Sequence, residues 1–336
     1  MSEVASPTLP PRRLSVAPML DWTDRHCRHF HRLLSPHAWL YTEMVTTGAL
    51  LHGDVARHLR FDAAEHPLAL QLGGSEPDDL ARCAKLAEEW GYDEVNLNCG
   101  CPSERVQRGA FGACLMAEPE LVADCVRAMR AATQLPVTVK HRIGIDRVED
   151  YDFVRGFVAS VSAAGCSTFI VHARNAWLKG LSPKENREIP PLRYDIVAQL
   201  KAEFPQLEII ANGGLATTEA MAAQLTYADG VMIGREAYHN PWALTEWERA
   251  FFDPAWAPSR ESIIDTLVDY AEREQREHGT HLRAIVRHVL GFANGLPGAR
   301  RFRQMLSDPV LLRDAKPELI RQAWAQVGTR PDAEAA

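Results

Sequence analysis

Nothing in the sequence approaches about 18 consecutive uncharged apolar residues, so no segment reads as a membrane-spanning helix. A cysteine framework is missing too. Seven cysteines in 336 residues is an odd number at irregular spacing, which excludes a disulfide-stapled secreted scaffold and points to reduced thiols in a cytoplasm. No C-x₂-C pair offers a zinc site, and no G-x-G-x-x-G run opens a strand–helix unit, so neither a metal nor a dinucleotide-binding fold is expected. Positive charge is scarce: the net charge of −7 and a pI near 6.0 exclude a wholesale polyanion-binding surface. What is present is a globular composition, 46% apolar and 24% charged. The length exceeds the roughly 250 residues of a (β/α)₈ barrel and leaves room for a smaller domain.

Eight short, nearly continuous apolar runs punctuate the chain: Leu14 to Met19, Trp39 to Val45, Leu68 to Leu72, Glu94 to Asn98, Val137 to Lys140, Thr168 to His172, Glu208 to Asn212 and Gly230 to Gly234. Such runs suit strands buried on both faces. Amphipathic stretches alternate with them: Pro77 to Trp90, Pro119 to Ala132, Glu149 to Ala164, Tyr194 to Phe204 and Thr217 to Leu225. Strand–helix alternation repeated eight times predicts a parallel sheet closed into a (β/α)₈ TIM barrel over residues 13–250. Beyond about residue 240 the strand pattern stops. Helices are expected over Arg260 to His278, His281 to Leu290 and Pro317 to Trp324, after a linker at Asp253 to Ser259, giving a small all-helical domain over 257–330. The Pro- and Ser-rich segment Met1 to Arg12 reads as a flexible leader.

Charge is unevenly shared. Thr280 to Ser307 carries Arg283, Arg287, Arg300, Arg301 and Arg303 with His281 and His288, and no acidic residue. That is either a local docking face for a polyanion or an ordinary solvated helix surface.

Barrel chemistry sits at the C-terminal strand ends, and polar residues or glycine stand at six of the eight ends. Gly213-Gly214 and Gly234-Arg235 follow the last two runs, where a phosphate cradle or simply two tight turns would fit. Lys140 ends a buried strand, so it requires an electron-rich partner: a substrate carbonyl, a ring, or a carboxylate such as Glu43. Gln71 and Asn98 can each donate and accept, which suits the edge of a planar heterocycle. Of the thiols in Asn98-Cys99-Gly100-Cys101-Pro102, Cys99 reads as packed inside the barrel. Cys101 reads as functional, on a loop with Gly109 and Gly112 downstream.

Val16-Ala-Pro-Met-Leu-Asp-Trp-Thr-Asp24, Gln71-Leu-Gly-Gly74, Asn96-Leu-Asn-Cys-Gly-Cys-Pro102, Lys140-His-Arg142, His172-Ala-Arg174, Asn212-Gly-Gly214 and Gly234-Arg-Glu236 together resemble the flavin-dependent tRNA-dihydrouridine synthases, from about residue 13 to at least 305. The opening motif, Lys184 to Arg187 and Gly298-Ala-Arg-Arg301 are similar to the A subfamily, which reduces uridines 20 and 20a of the tRNA D-loop. The resemblance implies FMN at the barrel mouth, NADPH as electron donor, hydride transfer to C6 of uracil and protonation of C5 by Cys101. It places Ala17, Pro18 and Met19 against the flavin, and Gln71 and Lys140 at its edge. His172, Asn212, Gly213, Gly214, Gly234 and Arg235 would hold its ribityl phosphate. Asn98 would meet the target uridine, while Lys184, Arg187, Arg300 and Arg303 would contact tRNA. It implies no membrane and no obligate protein partner. Two other readings remain: an FMN barrel acting on a free pyrimidine, of the dihydroorotate-dehydrogenase kind, and a tRNA-binding platform without catalysis.

Overall fold

The structure is a computed structural model that describes residues 9–103, 109–148 and 150–328. All eight apolar runs form strands: β1 Leu14–Val16, β2 Leu40–Thr46, β3 Leu68–Gly73, β4 Glu94–Cys99, β5 Val137–Arg142, β6 Thr168–His172, β7 Glu208–Asn212 and β8 Gly230–Ile233. They pair in parallel in the order β1-β8-β7-β6-β5-β4-β3-β2. The ring closes where Val16 N–H donates to the Trp39 carbonyl (2.8 Å) and Trp39 N–H to the Leu14 carbonyl (3.0 Å), just ahead of β2. Closure removes both sheet edges.

Helices Pro77–Glu89, Pro119–Ala132, Tyr151–Ala163, Tyr194–Glu203 and Thr218–Gln224 fill the crossovers. Their starts follow local chemistry. Pro77 and Pro119 stand in the first turn, where no intrahelical N–H bond is forfeited. Asp150 and Thr217 cap Tyr151–Ala163 and Thr218–Gln224 with side-chain oxygens. The first residue expected in the Glu149 to Ala164 helix, Glu149, lies outside the described residues.

The expected leader lies mostly outside the described residues, but its end is built into the barrel. Arg12 pairs with Glu94 (2.6 Å) and Glu208 (3.0 Å), and the Pro10 carbonyl accepts from Trp39 Nε1 at 2.8 Å. Arg12 therefore gives fully buried Glu94 a counter-ion that the barrel interior requires, and also reaches half-exposed Glu208.

The chain divides into two compact units. One holds the chain up to Asp21 together with Ala38–Gly234, which includes every strand. The other joins Trp22–His37 to the chain from Arg235 onward. The packing thus divides the chain differently from a single break near 250–257. Asp253 to Ser259 connects two helices of the same unit, Ala243–Phe251 and Arg260–His278. The second unit also contains Arg25–Leu34, a helix the apolar periodicity gave no reason to expect. Eight of its ten residues are buried, five of them His or Arg. Several of their polar groups are met locally: Arg28 donates to the Thr23 carbonyl (2.8 Å) and Arg32 to those of Ser35 (2.8 Å) and Pro36 (2.7 Å). His26 bonds the Tyr270 hydroxyl at 2.7 Å. Of the expected His281 to Leu290 helix only Leu282–Val286 forms, with Ala299–Ser307 and Leu319–Trp324 after it. No helix among the described residues is long and apolar enough to cross a membrane.

Candidate active site

Strand residues two apart share a face. Glu94, Asn96 and Asn98 on β4, with Thr138 and Lys140 on β5, point into the barrel, and Asn98 lies beside Lys140 in register. The interior is therefore not purely apolar. Ala17, Trp39, Tyr41, Ala69, Ile170, Ile210 and Met232 form an apolar layer with Met19 packed against it. A polar chain runs past that layer toward the mouth. Gln71 bonds both Asn96 and Asn98, each at 2.8 Å. Asn98 Oδ1 accepts from the backbone N–H groups of Gly100 and Cys101, both at 3.0 Å. That turn carries the Cys101 thiol, which is half-buried at 3.6 Å from the Ser103 hydroxyl.

Cys99 takes the opposite face. It is buried, and its neighbours are Cys114, Cys125 and Cys166, with Cys125 on helix Pro119–Ala132. It thus packs between barrel and helices, not inside the barrel, because it is one residue out of phase with Asn98. Burial pushes its thiol well above the usual range. All seven cysteines are free thiols.

Lys140 has no carboxylate partner among the described residues. Its Nζ donates to Asn212 Oδ1 at 3.0 Å, whereas Glu43 accepts from the Asp21 backbone N–H at 2.6 Å. Burial pushes the ammonium down to about 7, helped by the neighbouring Arg142. Arg142 is itself 3% exposed and, among the described residues, its hydrogen bonds go to carbonyls: Gly100 (3.1 Å), Asn175 (3.2 Å) and Asn186 (2.9 Å). It too is pushed down, to about 9. The sequence reading quoted Arg142 in the Lys140-His-Arg142 motif but gave it no role, although it stands two residues after Lys140 and so shares its face. His172 is held well below its usual range, first by burial and then by Arg142, Lys140, Arg174 and Arg187. Four cations thus converge on one imidazole. This part of the mouth is built to receive negative charge.

For a buried base held below its ordinary value of 10.5, the unfolded chain binds more protons between about pH 7 and that value. The charged-lysine penalty is complete below pH 7 and fades as pH rises. Stability of the ligand-free protein relative to Lys140→Met should therefore grow by roughly 1–2 kcal/mol from about pH 7 to pH 9, against a ceiling of about 1.4 kcal/mol per pH unit. Urea unfolding at several pH values checks this; parallel curves for the two proteins would contradict it.

Gly213 and Gly214 follow β7 with φ of +111° and +68°. A Cβ on Gly213 would lie 2.6 Å from His172 Cδ2, and one on Gly214 2.6 Å from Leu192 Cδ1. Both positions demand glycine for conformation and for space. Gly234 differs, since a Cβ there would meet only Met19 and Ala17 at 3.8 and 3.9 Å. Exposed Lys184 and Arg187 flank the short 3₁₀ turn Glu185–Arg187 in the β6 loop, whose Asn186 is buried and bonded to Arg142. Ala17, Pro18, Met19, Gln71, Asn98, Cys101, Lys140, His172, Asn212, Gly213, Gly214 and Gly234 all belong to strand ends or loops of the first unit.

Arg235, Arg300 and Arg303 belong to the second unit. There Arg303 bonds Asn294 (2.9 Å) and, with Tyr238, His239, Arg287 and His288, lines a cleft of about 320 Å³. Part of the acid-free stretch is used internally: buried His288 meets Asp24 at 2.9 Å, and Arg287 lies 3.7 Å from the same carboxylate. Arg283, Arg300, Arg301 and Arg303 remain exposed.

Fold and site define a (β/α)₈ barrel with a donor-rich, cationic mouth and a thiol on its rim. The barrel is shared with a 2-naphthoyl-CoA reductase complex at a TM-score of 0.54 and 11% identity, covering 70% of this chain and 49% of that one, a likeness of fold alone. At the level of family, residues 15–326 match dihydrouridine synthase (Dus), and the chain belongs to that family. It is 59% identical over 320 residues to the tRNA-dihydrouridine(20/20a) synthase of Pseudomonas putida (93% of this chain, 95% of that one). It is 57% identical over 318 residues to the one from Xanthomonas axonopodis pv. citri (95% of each chain) and 55% over 324 residues to the one from Yersinia pestis (96% and 93%). Family membership decides among the three readings of the sequence.

Proposed function

We propose that this chain is a tRNA-dihydrouridine(20/20a) synthase, reducing the uracil 5,6 double bond of D-loop uridines in the cytoplasm with FMN as cofactor and NADPH as electron donor. The observation that carries the reading is the cationic mouth: half-buried Lys140 and buried Arg142, with no carboxylate partner among the described residues, beside His172 and within reach of the Cys101 loop. A desolvated ammonium with no counter-ion among the described residues fits an electron-rich ring placed over it. The Gly213-Gly214 turn, closed to any Cβ, fits a close-lying phosphate.

Bound and reduced, FMN supplies a hydride. Ala17, Pro18 and Met19 would pack against its ring, while Gln71 and Lys140 would meet its edge. His172, Asn212, Gly213, Gly214, Gly234 and Arg235 would hold the ribityl phosphate. Lys140 would balance negative charge on the ring. Asn98 meets the uracil. With a hydride delivered to C6, the Cys101 thiol would give its proton to C5, so that the C5–C6 double bond would become a single bond with one new C–H bond on each carbon and the thiol would be left as a thiolate. Lys184, Arg187, Arg300 and Arg303 meet tRNA phosphates, which offsets the few kcal/mol needed to extrude a stacked base.

One experiment tests this. The purified protein should be yellow, release FMN on denaturation, be bleached by NADPH and recover colour only with tRNA lacking dihydrouridine, which then carries it at positions 20 and 20a. Release of FAD, absence of flavin, or oxidation by free uridine as readily as by tRNA would overturn it.

A further inference from the structure

The polar chain inside the barrel has a direction. Glu94, fully buried at the far end of β4, accepts four hydrogen bonds: two from Arg12 (2.6 and 2.8 Å), one from the Tyr41 hydroxyl (2.9 Å) and one from the Thr138 hydroxyl (2.5 Å). Thr138 has one hydrogen, and Glu94 takes it. Its oxygen can then only accept, and it accepts from Asn96 Nδ2 at 2.8 Å. Asn96 must therefore turn Oδ1 to Gln71, whose Nε2 donates at 2.8 Å. Gln71 in turn offers Oε1 to Asn98 Nδ2, also at 2.8 Å. Asn98 is left with Oδ1 facing the N–H groups of Gly100 and Cys101. The upper end of the chain consists only of donors and the lower end only of acceptors. One orientation of the three amides satisfies both ends.

We propose that Glu94 is a positioning residue for the mouth: through Thr138, Asn96 and Gln71 it holds the Asn98 amide in the orientation that anchors the Cys101 turn and leaves Asn98 only a donor to offer. With Oδ1 filled by two N–H groups, the one group Asn98 has left for a ligand is an Nδ2 hydrogen. The mouth therefore takes a carbonyl oxygen at this position and rejects an amino group. If the function proposed above holds and the carbonyl is O4 of uracil, cytosine is refused because the exocyclic amine it carries at that position would face a second donor.

Glu94→Gln has nearly the same shape but the wrong chemistry. Arg12 has only donors, so it claims the glutamine oxygen and turns the amide nitrogen toward Thr138 and Tyr41. A donor then meets the hydroxyl that must itself donate, and the mismatch travels up the chain. The measurement is residue-resolved amide hydrogen exchange at Gly100 and Cys101 in the cofactor-free full-length protein, with the alkylation rate of Cys101 as a second readout. Neither requires flavin or tRNA, so failure here is separate from failure of the assigned function. Glu94→Gln should exchange about five- to tenfold faster at these two amides, the scale of one weakened hydrogen bond. Thr138→Val, which removes both links, should do the same, and Thr138→Ser, which keeps the hydroxyl, should not. In the Thr138→Val background, Glu94→Gln should add nothing. Additive effects of the two substitutions, or wild-type exchange at Gly100 and Cys101 in both Glu94→Gln and Thr138→Val, would overturn the proposal. Should Glu94→Gln fail to fold, the contrast between the valine and serine variants decides alone.

Discussion

Cys101→Ala is expected to keep the fold, bind FMN and be reduced by NADPH at the normal rate, yet pass its electrons to tRNA about 10²–10⁴-fold more slowly, the usual loss when a general acid is removed. The thiol stands half-buried on a turn held from below by Asn98. Removing it should therefore spare the barrel and the first half-reaction. Cys99→Ala is the control. That side chain is fully buried against the helix layer, so truncation opens a small cavity, destabilises by about 1–2 kcal/mol and leaves the chemistry nearly intact. Rapid mixing of each reduced variant with tRNA separates the two. If Cys99→Ala blocks transfer while Cys101→Ala does not, the proton comes from the other thiol.

Gly213→Ala is expected to lose cofactor. At φ +111° any side chain is strained, and its Cβ would drive into the His172 ring at 2.6 Å. Either the turn or the imidazole must move, at a cost of about 1–3 kcal/mol, which weakens FMN binding by roughly ten- to a hundredfold. Gly234→Ala makes the contrast, because its Cβ would find ordinary contacts with Met19 and Ala17. Flavin content after purification and a titration of the cofactor-free protein give the answer. Full occupancy in Gly213→Ala, or equal losses in both variants, would remove Gly213 from the cradle.

Much of this was legible beforehand because strand patterning is local. Eight apolar runs became eight strands, and the polar residues ending them came to one rim, as parallel strands in a closed ring require. The helix Arg25–Leu34 was not legible. Its burial pattern does not follow hydrophobicity, because its arginines and histidines find carbonyls and rings within their own unit. Arg142 had a signal, the same-face spacing from Lys140, but nothing in the sequence shows that its charge is met by carbonyls.

By itself the sequence determined the barrel, the order of its strands, the rim residues and the family resemblance, all of which depend on spacing along the chain. Tertiary structure decided the pairings. It gave Lys140 to Asn212 instead of Glu43, turned Cys99 outward and Cys101 toward the rim, tied Arg12 to Glu94, and placed Trp22–His37 with the C-terminal helices. Each of these joins residues far apart in the chain, or depends on which face of a strand is already filled. A partner for a buried charge is chosen by distance and free valence in three dimensions, and neither is written in local periodicity.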